Sequence, residues 1–77
     1  MKVEILGAGC PKCRKTEAVI RETLAKLQLK AEVVDVTDIK AIVARGVMMT
    51  PAVFVDGVKV MEGKVPSETE AAAFLRK

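Results

Sequence analysis

The stretch Lys2-Val3-Glu4-Ile5-Leu6-Gly7-Ala8-Gly9-Cys10-Pro11-Lys12-Cys13 decides the fold, because the hydrophobic period changes in the middle of it. Lys2 to Leu6 reads as a strand, and Gly7-Ala8-Gly9 as the loop that delivers the chain to Cys10. From Pro11 to about Leu29 the pattern is helical. Cys13, Thr16, Ile20, Leu24 and Leu27 recur at three- and four-residue steps on one face, with Lys15, Glu22 and Lys26 elsewhere. Proline suits the first helical turn, so Cys10 falls at the N-cap.

Ala31 to Val36 reads as a second strand. A helix of about five turns separates it from the first, so the two strands should lie parallel in a right-handed βαβ unit. Thr37 or Asp38 can cap a short second helix with Ile39, Ile42 and Val43 facing inward, and Gly46 ends it at a left-handed position. Ala52-Val53-Phe54-Val55, Asp56-Gly57 and Val58-Lys59-Val60-Met61 spell a hairpin, since Asp-Gly is a strong two-residue turn signal. Ser67-Glu68-Thr69-Glu70 is a capping box that opens a last helix, with Ala71, Phe74 and Leu75 as its buried stripe. The expected fold is α/β in the order β-α-β-α-β-β-α, a four-stranded mixed sheet of order 2-1-3-4. The first and last helices cover one face and the short helix the other.

Composition bounds the function. A chain of 77 residues fits one domain, residues 1–77, with a core built from aliphatic side chains because Phe54 and Phe74 are its only aromatics. No apolar run approaches the ~18–20 residues that span a bilayer, and the N-terminus enters a strand pattern without a signal-peptide core. A cytoplasmic monomer that avoids membranes and needs no cofactor is expected. The net charge of +3 is spread among acids and almost unaccompanied by aromatics, which argues for a solvated mixed-charge surface over nucleic-acid binding.

There are two cysteines and no histidine, which removes mechanisms that need an imidazole base and most four-ligand zinc sites. A disulfide between residues three apart closes too short a loop to brace a fold. Cys10-Pro11-Lys12-Cys13 therefore points to chemistry. A dithiol exchanger needs one exposed, acidified thiol to attack and a second within reach to resolve the mixed disulfide. Cys10 at a helix start meets unpaired amides that favour its thiolate, while Cys13 heads the apolar stripe and is shielded. Lys12, Arg14 and Lys15 crowd the same turn, where they either help a thiolate or serve as soluble surface. Half of a metal site and a pair of small core residues are the competing readings of the motif.

At these residues the chain resembles the thioredoxin-fold superfamily, in particular its small glutaredoxin-like redox-active disulfide proteins. The resemblance spans nearly the whole length and rests on the Cys10–Cys13 motif after the first strand, Thr50-Pro51 opening the third, the Asp56-Gly57 hairpin and Gly63 before the last helix. It implies a thiol-disulfide oxidoreductase that exchanges electrons with protein disulfides and is recharged by an unidentified reductase. It further implies a cis Pro51 beside the cysteines, a Thr50 backbone that pairs with an extended substrate, and a Gly63 that lines the same groove. No tryptophan precedes Cys10, and Gly63 is followed by Lys64, Val65 and Pro66 rather than by the glycine and acid with which typical glutaredoxins hold glutathione. The reductant is left open by the resemblance.

Glu4 lies six residues before Cys10, where thioredoxins hold a buried acid. Buried, its pKa would rise and it would exchange a proton with Cys13; at the sheet face it would simply reach solvent. Met48-Met49 either packs in the core or forms an apolar rim near the dithiol. The alternative function is a soft-metal carrier, for a thiolate pair suits Cu(I). Such domains run β-α-β-β-α-β and usually carry Met where this chain has Ala8. A third reading, an interaction module without thiol chemistry, would survive replacement of both cysteines by serine.

Overall fold

A computed structural model describes residues 1–7, 9 and 11–76 of the chain. The elements among them follow the expected order: β1 (Lys2–Leu6), α1 (Pro11–Leu27), β2 (Glu32–Val36), α2 (Ile39–Ala44), β3 (Ala52–Val55), β4 (Val58–Glu62) and α3 (Glu68–Leu75). The sheet order is β2-β1-β3-β4. β1 runs parallel to β2, with Ile5 opposite Asp35, and antiparallel to β3, with Ile5 opposite Val53. This is the thioredoxin-like α/β arrangement.

Side chains alternate across a strand, and two cores follow from that parity. Val3, Ile5 and Val53 meet Ile20 and Leu24 of α1 and Ala71, Phe74 and Leu75 of α3 on one face. Leu6, Ala52 and Phe54 meet Ile42 of α2 and Val47 on the other. Thr16 is a polar residue inside the first core, and its hydroxyl is satisfied by donating to the Lys12 carbonyl at 2.8 Å.

The helix ends show local chemistry at work. Asp38 caps α2 by accepting from the Lys40 amide, and Ser67 and Glu70 form the reciprocal capping box of α3. α1 stops at Leu27, earlier than the apolar pattern suggests. Gln28 turns left-handed at φ 54°, and the Leu29 amide reaches back to the Leu24 carbonyl, closing the helix C-terminus. The hairpin turn has φ 49° at Asp56 and 84° at Gly57, the positive pair a two-residue turn of matching twist requires.

One part of the packing departs from expectation. Only Ile42 of α2 turns inward, while Ile39 and Val43 are each 65% exposed. A helix of six residues presents fewer than two turns to the sheet, so a single side chain fills the contact.

Candidate active site

The site is assembled where β1 leaves the sheet and α1 begins. α1 starts at Pro11, as the sequence predicts. Cys10 lies outside the described residues; Lys12 and Cys13 follow one another in the first turn of the helix, Lys12 exposed and Cys13 buried. Gly7, held by its amide to the Val36 carbonyl at 2.9 Å, supports Cys13 from below. A Cβ built on Gly7 would overlap Cys13 Sγ, sit 3.2 Å from Cys13 Cβ and come 3.8 Å from Thr50 Cβ. Cys13 and Thr50 are therefore neighbours across a position that has room for hydrogen alone. Gly7 is thus more than a permissive loop residue; its requirement here is close approach.

The Thr50–Pro51 peptide is cis, with Thr50 exposed and Pro51 fully buried. Gly63 stands beside the same segment, for its amide donates to the Pro51 carbonyl at 2.8 Å. At φ 81° it occupies the left-handed region, and a Cβ there would lie 3.2 Å from Met49 Cβ. Thr50-Pro51 and Gly63, separated in sequence by the β3–β4 hairpin, thus meet next to the start of α1. Met48 and Met49 are 92% and 63% exposed, which corrects the reading that packs the pair in the core.

Glu4 fits neither of the two sequence readings. It shares the α2 face with Leu6, and both of its carboxylate oxygens accept from Arg45 at 2.9 Å. The Arg45 guanidinium in turn stacks 4.4 Å from the centre of the Phe54 ring. Hydrogen bonding from Arg45 holds the Glu4 carboxyl below its usual range against the opposing effect of burial, and Lys2 adds to the lowering. The raised pKa expected of a lone buried acid is thus reversed, and the side chain faces away from α1.

The carboxyls on the Cys13 side are Glu17 and Asp35. They line, with Cys13, Arg14 and Gly7, a cleft of about 120 Å³. Desolvation, followed by the neighbouring charge of Glu17 and a hydrogen bond shared with it, pushes the Asp35 carboxyl up, while Arg21 opposes the shift. Arg21 also pairs with Glu17 at 2.8 Å. Spacing along the chain had not marked either acid.

The chain is therefore an α/β protein with a cysteine-bearing helix start set against a cis-proline loop. The chain belongs to the thioredoxin domain family, whose model matches residues 1–76. It is 44% identical over 68 residues to a thioredoxin of Methanocaldococcus jannaschii, covering 88% of this chain and 78% of the relative. It is 32% identical over 75 residues to a thioredoxin of Methanothermobacter thermautotrophicus, covering 97% of each. The β-α-β-β-α-β order of the soft-metal carriers does not fit, because α2 intervenes between β2 and β3.

Proposed function

We propose that the protein is a thiol-disulfide oxidoreductase acting on protein disulfides through Cys10 and Cys13. The observation that carries this reading is the burial of Cys13 against Gly7 and Thr50 at the head of α1, in a chain of the thioredoxin family. Cys10 precedes Pro11, where the amides of a helix start favour a thiolate. Its thiolate attacks one sulfur of the substrate disulfide, a mixed disulfide forms, and the other substrate sulfur leaves as a thiolate. Cys13 then loses its proton, attacks the Cys10 sulfur and releases the second substrate thiolate. Two electrons pass to the substrate, and the Cys10–Cys13 disulfide remains until an external dithiol reduces it.

Thr50, Pro51 and Gly63 form the docking edge in this proposal, with Thr50 offering main-chain hydrogen bonds to an extended substrate segment. Lys12 adds positive charge beside Cys10. The glutaredoxin-like size, a monomeric state and action in the cytoplasm, where a cycling dithiol is kept reduced, complete the reading. Among the described residues no helix is long and apolar enough to cross a membrane.

The test is equilibration of the purified protein in graded thiol/disulfide buffers, scored by intact mass. A loss of two hydrogen atoms, their electrons taken up by the buffer disulfide, is expected in the parent and in neither Cys10→Ser nor Cys13→Ser. Cys10→Ser abolishes insulin disulfide reduction, and Cys13→Ser accumulates the mixed disulfide. A pair that takes up no disulfide at any poise refutes the proposal.

A further inference from the structure

The segment that carries Thr50 and Pro51 is tied down from outside itself. Glu62, the last residue of β4, accepts from two consecutive backbone amides through the same oxygen, Met48 at 2.7 Å and Met49 at 3.1 Å. Its second oxygen accepts from Lys59 Nζ at 2.7 Å. Residues three apart on a regular strand point to opposite faces, so this pair needs an explanation. It comes from an irregularity in β4. Phe54 pairs with Lys59 but Val53 with Met61, leaving Val60 as an extra residue, and Lys59 and Glu62 are brought to the same face.

That face is the one carrying Ala52 and Phe54, over which the chain returns from α2 to β3. The carboxylate therefore meets the Met48 and Met49 amides just before Thr50. Hydrogen bonds from Lys59, Met48 and Met49, in that order, lower the Glu62 pKa to about 2, so it is ionised throughout the working range. The neighbouring Gly63 amide holds the Pro51 carbonyl at 2.8 Å, so the end of β4 grips the segment on both sides of Thr50.

We infer that Glu62 is a positioning residue of the docking edge, its carboxylate setting the backbone of Met48 and Met49 so that Thr50 is presented to an extended protein substrate. This rests on the disulfide-exchange reading and deepens it. Glu62 acts through the loop, by way of the Met48 and Met49 amides. A substrate too small to use the main-chain edge gains nothing from it. Discrimination between protein and small disulfides is what the residue controls.

The test compares parent, Glu62→Ala and Glu62→Gln with insulin and with an aromatic small-molecule disulfide as oxidants. In Glu62→Ala the KM for insulin rises about tenfold, the scale of one hydrogen bond to a charged acceptor. The rate constant with the small disulfide stays within about twofold of the parent. Glu62→Gln, whose amide oxygen still accepts, recovers most of the insulin KM and serves as the folded comparison should the alanine variant be unstable. The Met48 and Met49 amide proton resonances move upfield in Glu62→Ala. Unmoved amides, or equal losses with both oxidants in a folded variant, overturn the inference while the parent's activity leaves the exchange reading intact. A parent inert toward both oxidants overturns that reading and this inference with it.

Discussion

Replacing Gly7 by alanine adds one methyl group at the most crowded point of the site. The new Cβ would overlap Cys13 Sγ, which can swing to another rotamer, but it would also lie 3.2 Å from Cys13 Cβ, which the helix backbone holds. Gly7 cannot retreat freely, because its amide is bonded to the Val36 carbonyl at 2.9 Å. Burying a methyl gains about 0.8 kcal/mol, and losing glycine's freedom in the unfolded chain gains ~0.4–1 kcal/mol. Measured costs of overpacking, typically about 1–3 kcal/mol, are what remains after such gains. A net loss of about 1–2 kcal/mol is expected here, lowering the melting temperature by ~4–8 °C for each kcal/mol. The displaced Cys13 thiol should also resolve the mixed disulfide more slowly. Urea unfolding of the reduced proteins gives the first quantity, and mass analysis in thiol/disulfide buffers gives the second. A Gly7→Ala variant as stable as its parent with an unchanged dithiol equilibrium would refute the packing argument.

Two other substitutions test the scaffold. Ser67→Ala removes the acceptor for the Glu70 amide at the start of α3 and should cost about 1 kcal/mol in urea unfolding, with little effect on disulfide exchange. Asp35→Asn should stabilise the protein at neutral pH by roughly 0.2–0.5 kcal/mol, the scale of a solvent-screened carboxyl pair. The sign follows from the raised Asp35 pKa: the folded state binds the proton more readily than the unfolded chain, so parent stability rises as pH falls through the carboxyl range. The advantage of the variant should therefore be full above the folded Asp35 pKa and gone below the ordinary value of 3.8; an advantage that grows on acidification contradicts it.

The parts of the fold carried by local chemistry were legible in the sequence. The change of period at Gly7 to Cys10 marks the βα junction, Asp56-Gly57 supplies the two positive φ values of the hairpin, and Ser67 with Glu70 writes the helix start. What could not be read depends on residues far apart in the chain. Arg45 reaches Glu4 across 41 positions, and Glu62 reaches Met48 across 14 through a strand irregularity that no alternation pattern announces. Met48 and Met49 look like core residues by hydrophobicity, yet their position before Pro51 leaves them exposed. Ile39 and Val43 looked buried because periodicity gives a direction for each side chain but not the extent of the surface that receives it.

Two acids stand beside Cys13, and sheet parity picks them out where distance along the chain does not. Counting six residues from Glu4 to Cys10 says nothing about the face on which Glu4 lies, because the intervening loop can redirect the chain. Parity does say it. The apolar stripe of α1 has to cover Val3 and Ile5, the buried pair at odd positions of β1, so Glu4 must share the opposite face with Leu6. The same rule carries across the parallel pairing to β2: Val34 stands opposite Glu4, whereas Asp35 stands opposite Ile5 and so falls on the α1 side. Glu17, one helical turn beyond Cys13, points into the same cleft. Sheet parity and helix spacing together select Glu17 and Asp35 as the carboxyls beside Cys13, and they leave Glu4 to join the end of α2 to the sheet through Arg45.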